Sequence, residues 1–397
     1  ECAAVIGPDT IVGFVWECRH LGRVGDIGSG TVAMSCNTTA CNKGDKRGDW
    51  IALPDTNHPV IGVNLYRMES VSGSNRFEQI GQGWLKHGFG SSNDNECGFG
   101  CTPGAPFDQI GVGCSDTYSG LQFESCNLGP RSMINPYTGV MPGGPDMGFI
   151  PNCGQFTSDP TNYPANDHRD HVHSPISHKV QVQETDLSAL AHPGARFLGE
   201  GFYIAPHEFI DGNGNQNNNV SHVELAVTGP DLAGEYQYHE IGPYESESPA
   251  VDAWTGASQS MIEPAPLVDG RAFLAWQVTD LGAGQWHYEY AIYNMNLDRS
   301  IGSLCVPLAP GANVSNVGFH APLNHAPELH ADNYTNDPWT PTITANAIRW
   351  DTESFTANPF ANAVRFGTLY NFRFDASVAP QSVNGVAGLF KTDGLMA

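Results

Sequence analysis

The 397-residue sequence predicts an all-β protein. A disulfide-rich irregular β domain is expected over residues 1–165, a histidine-rich boundary segment over 166–180, and an antiparallel β-sandwich region over 181–397. Three observations carry this expectation. Apolar and polar residues alternate with a period of two wherever a pattern is visible, as in strands with one buried face. The 45 glycines and 28 prolines punctuate these runs, and no stretch keeps a helical period beyond a turn or two. Nine of the ten cysteines lie in the first 153 residues, after which the texture becomes regular.

In chain order, strands are predicted at HPVIGVNLYRM from His58, RFEQIGQGWLKH from Arg76, HKVQVQE from His178, ARFLGEGFYIA from Ala195, SHVELAVTG from Ser221 and GEYQYHEI from Gly234. A three-strand antiparallel meander follows: RAFLAWQVTD from Arg271, the turn LGAG, QWHYEYAIYNMN from Gln285, and SLCVPL from Ser303. NAIRWDTES from Asn346 and GTLYNFRFDA from Gly367 complete the set. Many short strands separated by turn residues suit a sandwich.

Charge narrows the partners. Eighteen Lys and Arg stand against 42 Asp and Glu, a net charge of -24, which disfavours nucleic acid and anionic lipid because both need neutralising cations. No apolar run is long enough to span a membrane. A first residue of Glu1 and ten cysteines fit a secreted chain in an oxidising compartment. Since nine of the cysteines fall in the first half, full pairing requires Cys305 to bond back to that half; otherwise at least two thiols stay free. Cys97 and Cys101 have a spacing shared with zinc knuckles, but without a second pair they suit a disulfide-stapled loop better.

The densest chemistry is NDHRDHVHSPISH, residues 166–178. His171 and His173 fall on one face of an extended strand, as neighbouring ligands of copper or zinc would, with His168 and His178 nearby and Asp167 and Asp170 placed to orient imidazoles. The competing reading is a solvated linker. Closing such a site needs outside ligands, for which His58, His87 and Met261 are candidates; a thiolate at Cys114 would make it a blue-copper centre, although a disulfide fits that cysteine better. A second candidate is IDGNGNQNNN, where Asp211, Asn213, Asn215 and Asn217 alternate as calcium ligands do. Gln216 and His222 break the EF-hand pattern at its glycine and glutamate positions, so a plain polar loop competes with it.

No complete catalytic signature appears: neither His207 nor His239 is followed by the second histidine of H-E-x-x-H, and G-x-S-x-G is absent. Catalytic residues stay unassigned, and no organic cofactor is expected. Trp286, Tyr288 and Tyr290, with Tyr236 and Tyr238, fit either a sugar-stacking platform or the buried face of a sandwich. Glycosylation sequons stand at Asn37, Asn219, Asn313 and Asn333.

HPVIGVNLYRM, RFEQIGQGWLKHGF, GVGCSDTYS and LYNFRFDA resemble recurring phrases of an uncharacterised group of secreted bacterial β-rich proteins, over most of the chain. The resemblance implies secretion and a shared architecture and brings no activity with it; the H-x-H stretch is not a fixed feature of that group. The expected function is an extracellular structural or adhesive protein that self-associates or binds glycan surfaces, stiffened by disulfides and bound cations. The alternative is a secreted copper-dependent oxidoreductase using His171 and His173.

Overall fold

The computed structural model describes residues 5–52, 55–71, 73–121, 128–141, 174–210, 214–324 and 334–392. The chain is nearly all β and forms two compact units that are not consecutive in sequence. Residues 1–66, 81–250 and 325–332 make the first; 67–80, 251–324 and 333–397 make the second.

The first unit is built on β1 (Thr10–Val24), β2 (Thr31–Asn42), β3 (Val60–Val71), β4 (Ser74–Gln82), β5 (Val180–Gln183), β6 (Arg196–Ile204), β7 (Val220–Thr228) and β8 (Gln237–Glu245), except that residues 67–80, the end of β3 and most of β4, count with the second unit. Pairing runs β6-β7-β8-β1-β2-β5-β4-β3 and returns to β6, so the eight strands close a ring and leave no edge within it. The strands from β5 to β8, expected in the sandwich, thus complete a barrel begun by β1 and β2. Val12, Val32, Met34, Val63 and Leu65 are among its buried residues.

The longest pair, β1 with β2, had no counterpart among the predicted strands. Its register shifts between Val12 and Phe14, between Trp16 and Arg19, and between His20 and Gly22. Each irregularity displaces the side-chain alternation, so TIVGFVWECRHLGRV does not read as period two. Disulfides fix this region: Cys18–Cys36 joins β1 to β2, Cys41–Cys97 ties β2 to the long connection after β4, and Cys101–Cys114 closes a loop within that connection. Gly13 lies against the second of these, where a Cβ would sit 2.5 Å from both sulfurs. Cys305 is unpaired among the described residues, while Cys2, Cys126 and Cys153 lie outside them.

The second unit is a sandwich of β9 (Ser258–Ile262), β10 (Ala272–Gly282), β11 (Gln285–Asn294), β12 (Ile301–Pro307), β13 (Val314–His320), β14 (Thr340–Ile343), β15 (Ala347–Asp351), β16 (Thr368–Ala376) and β17 (Val386–Leu389). One sheet has the order β9-β10-β11-β16-β13, the other β14-β15-β12-β17. The expected meander is therefore a hairpin, β10 with β11, after which β12 joins the other sheet. The turn is pinned by Asn294, whose Oδ1 accepts the Leu297 N–H at 2.8 Å, and by Asp269, whose Oδ1 accepts the Asp298 N–H at 2.9 Å. Trp339, Trp350, Phe372, Ile292 and Leu304 fill the core.

Candidate functional site

Of the predicted copper or zinc ligands, His168, His171 and His173 lie outside the described residues. His178 is buried at φ 65°, with its ring 4.1 Å from that of Trp84. The proposed outside ligands are engaged elsewhere. His58 Nδ1 donates to Ile51 O at 2.8 Å, leaving its Nε2 to accept from His87 Nδ1 at 2.7 Å. Burial lowers the first imidazole to about 4 and holds the second well below its ordinary value, so both are neutral. Met261 stands on β9 of the other unit. Cys114 is in a disulfide, which removes the thiolate a blue-copper centre needs.

The predicted calcium loop is rearranged in its described part. Asp211 and Asn213 lie outside the described residues, and Asn215 begins a single 3-10 turn, Asn215–Asn217. Asn215 Nδ2 donates to Ile6 O and Pro8 O at 3.0 and 2.9 Å, so this carboxamide clasps the segment that leads into β1.

Next to that clasp is a polar cluster that local spacing did not reveal. The short helix α1 (Pro206–Ile210) starts on proline, whose missing N–H costs a first turn nothing. It presents His207 and Glu208, both buried. Gly48 makes room for the imidazole, since a Cβ there would sit 2.6 Å from His207 Nε2. That nitrogen is 3.0 Å from Thr10 Oγ1, and burial drives the ring down to about 3. Glu208 accepts hydrogen bonds from Thr10 N and Asn219 Nδ2. Asp9 Oδ1 accepts from Asn218 Nδ2 at 3.0 Å, and the same amide reaches Glu247 Oε2 at 3.3 Å. Burial pushes both carboxyls, Asp9 and Glu208, upward, and the Asp9 charge adds to the rise at Glu208. Neither forms an ion pair among the described residues; the nearby Lys43 is paired with Glu247 at 2.5 Å. Asp9 Oδ2, Asn218 Oδ1 and Asn219 Oδ1 are buried with no hydrogen-bond partner among the described residues.

The aromatic platform resolves as core. Tyr288 stacks on Phe374 at 4.7 Å, within 6° of parallel, inside the sandwich, and Trp286 and Tyr290 pack against the same core. Tyr236 and Tyr238 are buried in the first unit. A cavity of about 170 Å³ opens beside Tyr288, Tyr290, Phe374, Pro307, Leu308 and Gln381. The opposite row of β11 is also covered: His287 lies 2.5 Å from Asp375 and 2.9 Å from Glu289, and Glu289 accepts from Arg76 Nε at 2.9 Å and Asn371 Nδ2 at 2.7 Å. Asn37 and Asn219 are buried, which leaves those two sequons closed to a glycan in the folded chain.

The sandwich has four outer strands. β14 carries Pro341, β13 meets β16 across a register shift between Ser315 and Gly318, and β17 meets β12 across another between Ile301 and Ser303. Proline and bulges are ordinary means of blunting an edge. β9, with the sequence SQSMI, has neither proline nor charge; it pairs with β10 in unbroken register from Ser258↔Trp276 to Ile262↔Ala272. Its first four residues are exposed, Met261 to 51%.

No protein-family model and no curated protein matches the chain. Among the described residues, no three His, Cys, Asp or Glu side chains gather as metal ligands, and no helix is long and apolar enough to cross a membrane.

Proposed function

We propose that this protein is an extracellular structural component that assembles with copies of itself by strand addition along β9. The observation that carries the reading is the unblunted edge: five uncharged residues in regular register, with one side of the strand unpaired among the described residues. Main-chain hydrogen bonds would supply the affinity, and alternate side chains such as Met261 the register. The three disulfides support an oxidising destination, where stiffness is useful to an assembled material.

Light scattering over a hundredfold range of concentration tests this. Mass should rise with concentration in the native chain, and Ser260→Pro or Met261→Lys should hold it at the monomer. A single monomeric mass at every concentration, or assembly that both variants leave intact, would sink the proposal. Met261→Lys alters an exposed side chain, so its fold should survive even if the proline variant's does not.

A further inference from the structure

We propose that Asp9, Glu208, Asn218 and Asn219 form a binding site for a hard divalent cation, calcium by its chemistry, which locks the polar loop after α1 onto the entry to β1. The inference is independent of strand addition at β9.

Two observations converge on it. Asp9 and Glu208 are carboxylates with 0% exposure, placed as electrostatic neighbours, and neither meets a lysine or arginine in an ion pair among the described residues. Burying carboxylates without a countercharge is costly. Separately, three oxygens of the same cluster have no donor among the described residues: Asp9 Oδ2, Asn218 Oδ1 and Asn219 Oδ1, with Asn219 itself 2% exposed. Native interiors rarely leave buried oxygens unsatisfied, and an unbound ion is one of the recognised explanations.

The two carboxamides direct their nitrogens at the carboxylates. A carboxamide's oxygen and nitrogen are nearly equivalent in shape, and a half-turn about χ2 exchanges them. With a cation present, that half-turn turns both amide oxygens toward the carboxylates, giving two anionic and two neutral oxygen donors. Glu247 already shares the Asn218 amide with Asp9 and is a further acceptor at the rim. An all-oxygen set with amide members suits calcium; copper and zinc would draw on imidazole or thiolate, and His207 Nε2 is instead committed to Thr10 Oγ1. Since Asn215 holds Ile6 and Pro8 from the same loop, an ion on Asp9 would fasten the next residues of that segment.

The test is calcium titration of the full native chain by calorimetry, after treatment with EDTA and desalting, together with thermal melts in calcium and in EDTA. One saturable site per chain is expected, with a melting temperature that climbs as calcium is added. Asp9→Asn and Asn218→Ala should each weaken binding at least tenfold. Circular dichroism checks the fold of each; Asn218 is partly exposed, so Asn218→Ala decides the matter if the Asp9 variant misfolds. No saturable uptake by the native chain, or uptake that Asn218→Ala leaves unchanged, would overturn the assignment.

Discussion

The barrel and the sandwich solve the same problem, hiding polar groups inside β structure, in different ways. In the barrel unit Arg23 pairs with the buried Glu184, but several other ionisable side chains are buried with no ion pair among the described residues. Lys86 has its Nζ 4.0 Å from the centroid of the Tyr118 ring and donates to His87 O, and burial takes its pKa down to about 7. The second unit buries a connected row instead, made by sandwich strands with the parts of β3 and β4 that belong to this unit: Arg76, Glu289, His287 and Asp375 are linked in sequence, and Glu78 joins Arg67 and Arg373. The edges differ as well. The ring closes on itself and is cross-linked, whereas the sandwich leaves outer strands and has no disulfide among its described residues. The barrel unit is therefore expected to depend on covalent closure and neutral side chains, and the sandwich on paired charge.

The sharpest way to break that contrast is through the disulfides. Converting both Cys41 and Cys97 to Ser opens a link spanning 56 residues, and chain entropy puts the loss at about 4 kcal/mol; Cys101 and Cys114, 13 residues apart, should cost about 3. Denaturant unfolding followed by hydrogen exchange should place both losses in the barrel unit, with strands β9 to β17 protected as before. Equal loss of protection in both units would end the comparison. Next in size is Glu289→Ala, which strips the partner from Arg76 and His287; breaking a buried pair this way costs about 3 kcal/mol. Exchange should then quicken in β11 and β16 and stay unchanged in β6 and β7. Glu289→Gln, which still accepts a hydrogen bond, should lose less.

What the sequence made legible follows from how local each signal was. HPVIGVNLYRM and GTLYNFRFDA are strands because their pattern is written within ten or so residues, and the β class follows from many such runs. The pair β1 and β2 stayed hidden because bulges scramble the alternation, and β12 was assigned to a meander because sequence order does not say which sheet a strand joins. The burial of His287 and Glu289 is not legible in the sequence, since a polar row looks the same under water as under Arg76. The oxygen cluster was half legible. The asparagine run drew attention to the right loop, but Asp9 lies about 200 residues away in sequence from Asn218, and no spacing rule reaches that far.

The response to pH divides the two units by sign. His58, held to about 4 by burial, favours its neutral form in the folded state; the unfolded chain takes up a proton at its ordinary value of 6.5. Its stabilisation is whole above pH 6.5 and drains as pH falls toward 4, by at most about 1.4 kcal/mol per pH unit for one proton. Lys86 and Asp55 are the charges that bear on this ring, and they act in opposite directions. His287 behaves the other way. Burial disfavours its charge, yet hydrogen bonds to Glu289 and Asp375 outweigh that and leave its pKa raised. Its contribution is whole below pH 6.5 and is lost as pH climbs through the raised value. Comparing native chain with His58→Gln and His287→Gln cancels the carboxyls that titrate in the same range. Replacing His58 should flatten the acid-side loss of protection in the barrel, and replacing His287 the alkaline-side loss in β11 and β16. If both variants changed the same limb, the neutral and charged roles assigned to these two rings would be wrong.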